Sequence, residues 1–173
     1  MKLTKKISLS AILIALAFLI LLLGNILETV TFSVAAIASI CVIVALSELG
    51  YQYAFMVYMA TSVIAFLLLP VKDPVLYFAG FFGYYPIVKS VVERIPSKIT
   101  YLLKGAIFAC AYSLIAIIGI KFLLPEADLI KYILIAFPIL VIVFYVFDYA
   151  LTKLINYYKN SIRKRLGIDK FLK

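Results

Sequence analysis

Two oppositely charged residues stand inside the most apolar stretches of the chain and are the first candidates for chemistry. Lys89 lies within GYYPIVKSVVER, residues 83–94, and Asp148 lies within VFYVFDYALTK. A charged side chain in an apolar segment usually faces other protein segments and finds a partner there. We therefore predict a buried ion pair between Lys89 and Asp148. Two alternatives remain open: Lys89 extends to the nearest segment end while Asp148 pairs with Lys104 or Lys153, or the two charges belong to a proton relay.

Three aromatic residues precede Lys89 at helical spacing. Tyr77, Phe81 and Tyr84 are related as i, i+4 and i+7, so they share one face of a helix. Pro86 follows them, removes a backbone donor and can kink the helix at that point. We interpret the three rings as the wall of a small-molecule site.

A polar connection, GNILETVTFS at residues 24–33, separates the first two apolar segments. Sites between helices are mostly apolar and aromatic, with a few polar groups that orient the ligand. The tyrosine-rich wall favours a heteroaromatic ring, and Glu28 suits a cationic or amine-bearing ligand. The alternative is an aromatic belt at the membrane surface that binds no ligand. The predicted site consists of Asn25, Glu28, Thr29, Tyr77, Phe81, Tyr84, Tyr112, Tyr145 and Tyr149.

Residue types that support catalysis or metal binding are scarce. The chain has no histidine, and its two cysteines, Cys41 and Cys110, lie in separate apolar runs. It contains no H-E-x-x-H, G-x-S-x-G or Walker motif and no cluster of acids. Since histidine is the commonest general base, we predict a protein that is not an enzyme and that uses no metal and no cofactor.

Composition defines the elements that must position these residues. The 173 residues are 66% hydrophobic and only 14% charged, against about 25% charged in a soluble domain. A membrane-spanning helix needs about 20 apolar residues, and charges and helix breakers divide the chain into six such segments. We predict an all-α membrane protein, a six-transmembrane-helix bundle in a single integral membrane domain, 1–173. The expected helices are about 7–23, 32–46, 51–69, 75–92, 99–124 and 129–155, followed by a basic tail, 156–173.

Charge orients the bundle. If both termini are cytoplasmic, all but three of the 17 basic residues fall on the cytoplasmic side, the exceptions being Lys72, Lys121 and Lys131. We therefore predict a multi-pass cell-membrane protein with both termini inside. The net charge of +9 sits at segment ends rather than along one soluble face, so it does not indicate nucleic-acid binding. The first segment is expected to be retained, because no A-x-A cleavage site follows it.

The first helix carries a strip of small residues. Ser8, Ala11 and Ala15 fall at i, i+3 and i+7 and share one face. In lipid, small residues permit the close approach of two helices. The strip serves either internal packing or the docking of another protein.

Several of these features together resemble a known family. A basic N-terminus that leads into an apolar helix with Ala11 and Ala15 four residues apart is similar to the substrate-binding S components of energy-coupling factor (ECF) vitamin transporters. The length, six predicted helices, polar first connection and basic C-terminus fit the same family. The strip ends at Leu19, where a third small residue would continue it.

The resemblance implies a function and a set of partners. The chain would bind a vitamin or related micronutrient from outside the cell, at the bacterial plasma membrane. It would associate with an ECF transmembrane coupling subunit and two cytoplasmic ATPases, with Ala11 and Ala15 facing the coupling subunit. The alternative is a structural or scaffold membrane protein of the envelope or cell-shape machinery, in which side chains fill the outer half of the bundle.

Overall fold

A computed structural model describes residues 3–27, 30–94, 100, 103–113, 129–158 and 160 of the chain. Over these residues the chain is almost entirely helical and contains no strand, as predicted for an all-α protein. The chain packs as two compact units, residues 1–107 and residues 108–173. We call them unit 1 and unit 2 and describe each by itself.

Unit 1 contains four helical segments that are long and apolar enough to cross a membrane. The shortest have 18 residues, which at 1.5 Å per residue gives a length of about 27 Å. The fourth segment, Asp73–Val92, is built from three pieces and is called the fourth span here. The helices are α1 Leu3–Leu27, α2 Thr31–Glu48, α3 Tyr51–Leu68, α4 Asp73–Tyr77, a π-helical turn Phe78–Phe82 and α5 Tyr85–Val92.

Glycine makes the tight connection between α2 and α3 possible. Gly50 adopts φ 91°, a region that side chains with a Cβ rarely enter. The amides of Leu49 and Gly50 both donate to the Ala45 carbonyl and close the last turn of α2. In the structure α2 ends at Glu48 and α3 begins at Tyr51.

Small residues bring α1 and α2 together. Ala17 and Leu21 of α1 and Ala35 and Ala38 of α2 have no exposed surface. A Cβ on Gly24 would lie 2.7 Å from Val34 Cγ1, so only glycine allows this approach. Packing of small residues replaces the hydrophobic effect as the force between helices in lipid.

Side-chain contacts define the two ends of unit 1. The Lys6 ammonium lies 5.3 Å from the centre of the Tyr53 ring, and the Ser90 and Tyr51 hydroxyls lie 3.0 Å apart in a hydrogen bond. The start of α1, the start of α3 and the end of α5 therefore share one end, which we call the Lys6 end. At the opposite end, called the Asn25 end, the last turn of α1 meets the α3–α4 connection.

In unit 2, helix α7 (Leu129–Tyr157) has 29 residues and contains Pro138. Residues 103–113, named α6, begin in unit 1 and continue into unit 2, where the Phe108 and Phe144 rings stack with centres 4.5 Å apart. Residues 114–128 and 161–173 lie outside the described residues, as do parts of the predicted fifth helix and basic tail. The count of six spans and the single domain remain predictions.

Candidate functional site

The fourth span changes helix type near its middle. The Gly83 amide donates to the Phe78 carbonyl, five residues back, at 2.7 Å. In a regular α-helix this amide would reach Ala79, four residues back. Here the Ala79 carbonyl instead accepts a hydrogen bond from the Tyr58 hydroxyl of α3 at 2.8 Å. A side chain of a neighbouring helix thus replaces a backbone donor of the span.

Glycine is required where Tyr58 crosses the fourth span. A Cβ on Gly83 would lie 2.5 Å from Tyr58 Cδ2 and 2.9 Å from the Phe78 carbonyl oxygen. Cβ atoms essentially never come that close to another heavy atom, so ring or backbone would have to move. The π-helical turn was not predicted from the sequence. The signal for it was the pair Gly80 and Gly83 ahead of Pro86.

Pro86 lies at the start of the regular α-helix that follows the π-helical turn, in the first turn of α5, which begins at Tyr85. The first-turn amides of a helix have no intrahelical acceptor, so the missing N–H of proline costs nothing there. The amides of Ile87 and Val88 donate to the Tyr84 carbonyl and start the new helix. Between the π-helical turn and α5, Gly83 and Tyr84 keep right-handed helical backbone angles, so the hydrogen-bond pattern changes there while the chain continues as a helix.

One predicted wall residue packs against α2. The Tyr77 and Phe32 rings meet edge to face with centres 5.4 Å apart, and Phe32 also meets Phe82 at 4.7 Å. Both distances lie in the range of favourable aromatic pairs. Tyr77 is half-buried.

The other two wall residues, Phe81 within the π-helical turn and Tyr84 just after it, lie close together. The Phe81 and Tyr84 ring centres are 6.3 Å apart, and Phe81 also lies 4.8 Å from the Tyr85 ring. Tyr84 in turn lies 6.2 Å from the Tyr58 ring. Phe81 is only 6% exposed, so its surface is largely occupied by neighbouring side chains.

Of the three predicted site residues in the polar connection, the structure describes Asn25. Its side-chain amide is buried and donates to the Val71 carbonyl at 2.6 Å. Asn25 therefore ties the end of α1 to the α3–α4 connection. Glu28 and Thr29, predicted with it, lie outside the described residues.

Three predicted site residues belong to unit 2. Tyr112 is half-buried beside Phe108, with ring centres 6.3 Å apart. Tyr145 and Tyr149 of α7 are 56% and 65% exposed, and the Lys153 ammonium lies 5.5 Å from the Tyr149 ring centre. A common site with the residues of unit 1 remains a prediction.

A charged cluster lies at the Lys6 end. The Lys89 side chain is fully buried, and its ammonium lies 3.4 Å from Glu93 Oε1, one turn along the same helix. The Lys104 ammonium approaches the same oxygen to 2.8 Å. One carboxylate thus binds two lysines, and it connects the end of the fourth span to α6. Glu93 follows Lys89 by four residues, so the two share a helix face, whereas no sequence pattern relates Lys104 to Glu93.

The predicted partner of Lys89 belongs to unit 2. The Asp148 carbonyl accepts a hydrogen bond from the Thr152 hydroxyl at 2.9 Å. The ion pair between Lys89 and Asp148 remains a prediction. The burial of Lys89 means that it does not extend its ammonium to the surface.

The small-residue strip of α1 is exposed. Ser8, Ala11 and Ala15 are all accessible, while α1 buries a different row that includes Leu13 and Ala17. The strip is therefore not buried by the packing of α1 within unit 1.

An open apolar groove of about 270 Å³ runs between α3 and the fourth span. It is lined by Ser62, Val63, Phe66 and Leu67 of α3 and by Val75, Leu76 and Ala79 of the fourth span. Tyr77, Phe81 and Tyr84 do not line it.

The fold places the chain in the class of all-helical proteins with several helices long and apolar enough to span a membrane. No protein-family model, curated protein or solved structure matches the chain.

Proposed function

We propose that the chain is a membrane-embedded substrate-binding subunit of the ECF S-component type, which takes up a vitamin-like ligand from outside the cell. The observation that carries the proposal is the interruption of the fourth span. π-Helical turns are frequent at functional sites. Here the π-helical turn lies beside Phe81 and Tyr84, two of the predicted ligand contacts.

The mechanism follows from the sequence charge pattern and the two ends of unit 1. The Lys6 end is cytoplasmic and the Asn25 end is external in the proposed orientation. A ligand would enter from the Asn25 end, with Glu28 attracting an amine and the aromatic residues stacking on its ring. The protein would perform no chemistry, and its place is the bacterial plasma membrane.

Delivery of the ligand requires other subunits. We propose that the strip of Ser8, Ala11 and Ala15 docks onto an ECF transmembrane coupling subunit, which two cytoplasmic ATPases drive. The exposure of all three residues supports this, because small side chains on a free helix face permit close helix approach.

A second candidate function is that of a structural membrane protein without a ligand. The packing of Phe81 against Tyr84 and Tyr85, and of Tyr77 against Phe32, favours it. In this alternative the rings fill the interior, and the α1 strip serves assembly with partners of the cell envelope.

A thermal-shift screen of the purified chain against vitamins separates the two functions. The transport proposal predicts that one compound raises the unfolding temperature by several degrees, because a ligand that binds only the folded state stabilises it. Tyr84→Ala should abolish the shift. The matched control Tyr157→Ala, at an exposed tyrosine outside the predicted site, should keep it. No shift with any vitamin would favour the structural function.

A further inference from the structure

The groove between α3 and the fourth span opens toward the surroundings of the protein rather than into its core. Val63, Phe66 and Leu67 on its α3 side are 51%, 53% and 73% exposed. Its volume of about 270 Å³ lies just below the range of about 300–1,000 Å³ for compact ligand pockets. An open and almost wholly apolar channel of this size fits a flexible hydrocarbon chain better than a compact polar ligand.

The groove runs along α3. Its α3 lining extends from Ser62 to Leu67, a rise of about 7.5 Å, and stops one residue before Leu68, where α3 ends. In a membrane-spanning helix of this length, the end of α3 lies near the headgroups and Ser62 lies among the acyl chains.

A lysine stands at the upper end of the groove. The Lys72 ammonium donates to the carbonyls of Phe66 and Leu69, both at 2.6 Å, and lies 5.1 Å from the centre of the Phe66 ring. An ammonium has three N–H donors, so one remains after these two bonds. The contacts hold the positive charge directly beside a groove residue, at headgroup depth.

The acid next to Lys72 is half-buried. Asp73 lies three residues before the groove residue Leu76 and four before Tyr77, so it shares a helix face with both. The positive group that contacts the groove is the Lys72 ammonium, which is held beside Phe66 by its two carbonyl acceptors.

From this geometry we propose that the groove is a phospholipid site: one acyl chain lies along it and the phosphate meets the Lys72 ammonium. The charge-assisted hydrogen bond to the phosphate selects a phospholipid over a neutral lipid with the same tails. This inference is independent of the proposed transport function.

Native mass spectrometry of the full chain in detergent tests the site. The chain is titrated with phosphatidylglycerol and, in parallel, with diacylglycerol that carries identical acyl chains. We expect phosphatidylglycerol to remain bound at least about tenfold more tightly, the ratio expected for one hydrogen bond to a charged group. Lys72→Gln should remove most of that preference.

Filling the groove provides a second, independent variant. Val63→Phe adds bulk at the groove and should abolish retention of phosphatidylglycerol. Val91→Phe is the matched control, since Val63 and Val91 are 51% and 50% exposed and only Val63 lines the groove. Circular dichroism verifies that each variant is folded. Equal retention of both lipids, retention by Val63→Phe, or a free fatty acid, a detergent molecule or a second copy of the chain at the groove would each overturn the proposal.

Discussion

Helix α1 and the fourth span both belong to unit 1, but they differ in burial and in backbone regularity. α1 is one continuous helix of 25 residues, and 28% of the residues in its apolar 18-residue stretch are buried. The fourth span has 20 residues, is 50% buried and is interrupted by a π-helical turn. A helix that faces lipid must satisfy every backbone group itself, whereas a helix surrounded by protein can give a carbonyl to a neighbour's side chain. The hydrogen bond from the Tyr58 hydroxyl to the Ala79 carbonyl is that exchange.

Charge follows the same division. The lysines of α1, Lys5 and Lys6, stand in its first turns, while Lys89 is fully buried within the fourth span. A charge in the hydrocarbon region is costly unless protein groups surround it. Lys89 is buried beside Glu93, whereas Lys5 and Lys6 are not buried. We therefore expect the fourth span to be more sensitive to substitution than α1.

The largest effect should come from the buried lysine. Lys89→Ala removes a fully buried side chain and leaves a cavity, while Glu93 is 40% exposed and keeps Lys104 as a partner. The change should lower the free energy of unfolding by about 2–5 kcal/mol. Denaturant unfolding in detergent measures it. The equivalent change in α1, Lys5→Ala, should have an effect within about 0.5 kcal/mol, because Lys5 lies near a segment end.

Double-mutant cycles identify the partner of Lys89. A cycle with Glu93→Gln should show non-additive losses, because the two charged groups are 3.4 Å apart. A cycle with Asp148→Asn tests the pair predicted from the sequence, for which the double variant should recover part of the loss. Additive losses with Glu93→Gln would contradict the Glu93 contact, and additive losses with Asp148→Asn would remove the Asp148 pair.

The next largest effect concerns the close approach of Tyr58. Gly83→Ala should destabilise the protein by about 1–3 kcal/mol, because the new Cβ has no space beside the Tyr58 ring. Gly105→Ala is the matched control. A Cβ there meets nothing within 4 Å, so the change should be neutral or slightly stabilising. Equal effects at the two glycines would argue against the π-helical geometry.

A smaller effect on stability is expected from removing the Tyr58 hydroxyl, which donates to the Ala79 carbonyl in place of a backbone amide. Tyr58→Phe keeps the ring and removes the hydroxyl from the Ala79 carbonyl, at a cost of about 1 kcal/mol. Isotope-edited infrared spectroscopy of a labelled Ala79 carbonyl should show a shift to higher frequency as the bond is lost. An unchanged carbonyl band would show that Tyr58 does not satisfy it.

The smallest effect on stability should come from the exposed face of α1. Ala15→Leu should change the free energy of unfolding by no more than about 0.5 kcal/mol while weakening association with a coupling subunit. Ala17→Leu, at a position with no exposed surface, should cost about 1–3 kcal/mol through overpacking. If Ala15→Leu is as damaging as Ala17→Leu, the strip serves internal packing and the docking proposal fails.

The sequence predicted the helices of unit 1 better than the contacts between them. Apolar length and breakers such as Gly50 placed four segments within a few residues of their ends in the structure. The π-helical turn was missed, because a single extra residue leaves the 3.6-residue pattern on each side intact. In the structure Tyr77 meets Phe32 of α2, whereas Phe81 meets Tyr84 of the same span.

Lys89 and Asn25 show which features of a side chain's surroundings could be predicted from the sequence and which could not. Lys89 was identified as buried because its surroundings in the sequence are apolar, a property of composition. Its partner Glu93 lies four residues on in the same helix, whereas the binding of Lys104 to that carboxylate depends on how α6 begins, which no local pattern encodes. Asn25 was read as a ligand contact from its position in a polar connection, and its bond to Val71 depends on the path of a loop 46 residues away.

The central claim is that unit 1 crosses the membrane four times with its Lys6 end in the cytoplasm and its Asn25 end outside. Cysteine labelling in right-side-out and inverted vesicles tests it most directly, with the native thiols removed by Cys41→Ala and Cys110→Ser. A cysteine at Lys5 should react with a membrane-impermeant maleimide only in inverted vesicles, and one at Lys72 only in right-side-out vesicles. Reaction of both positions from the same side would contradict the account.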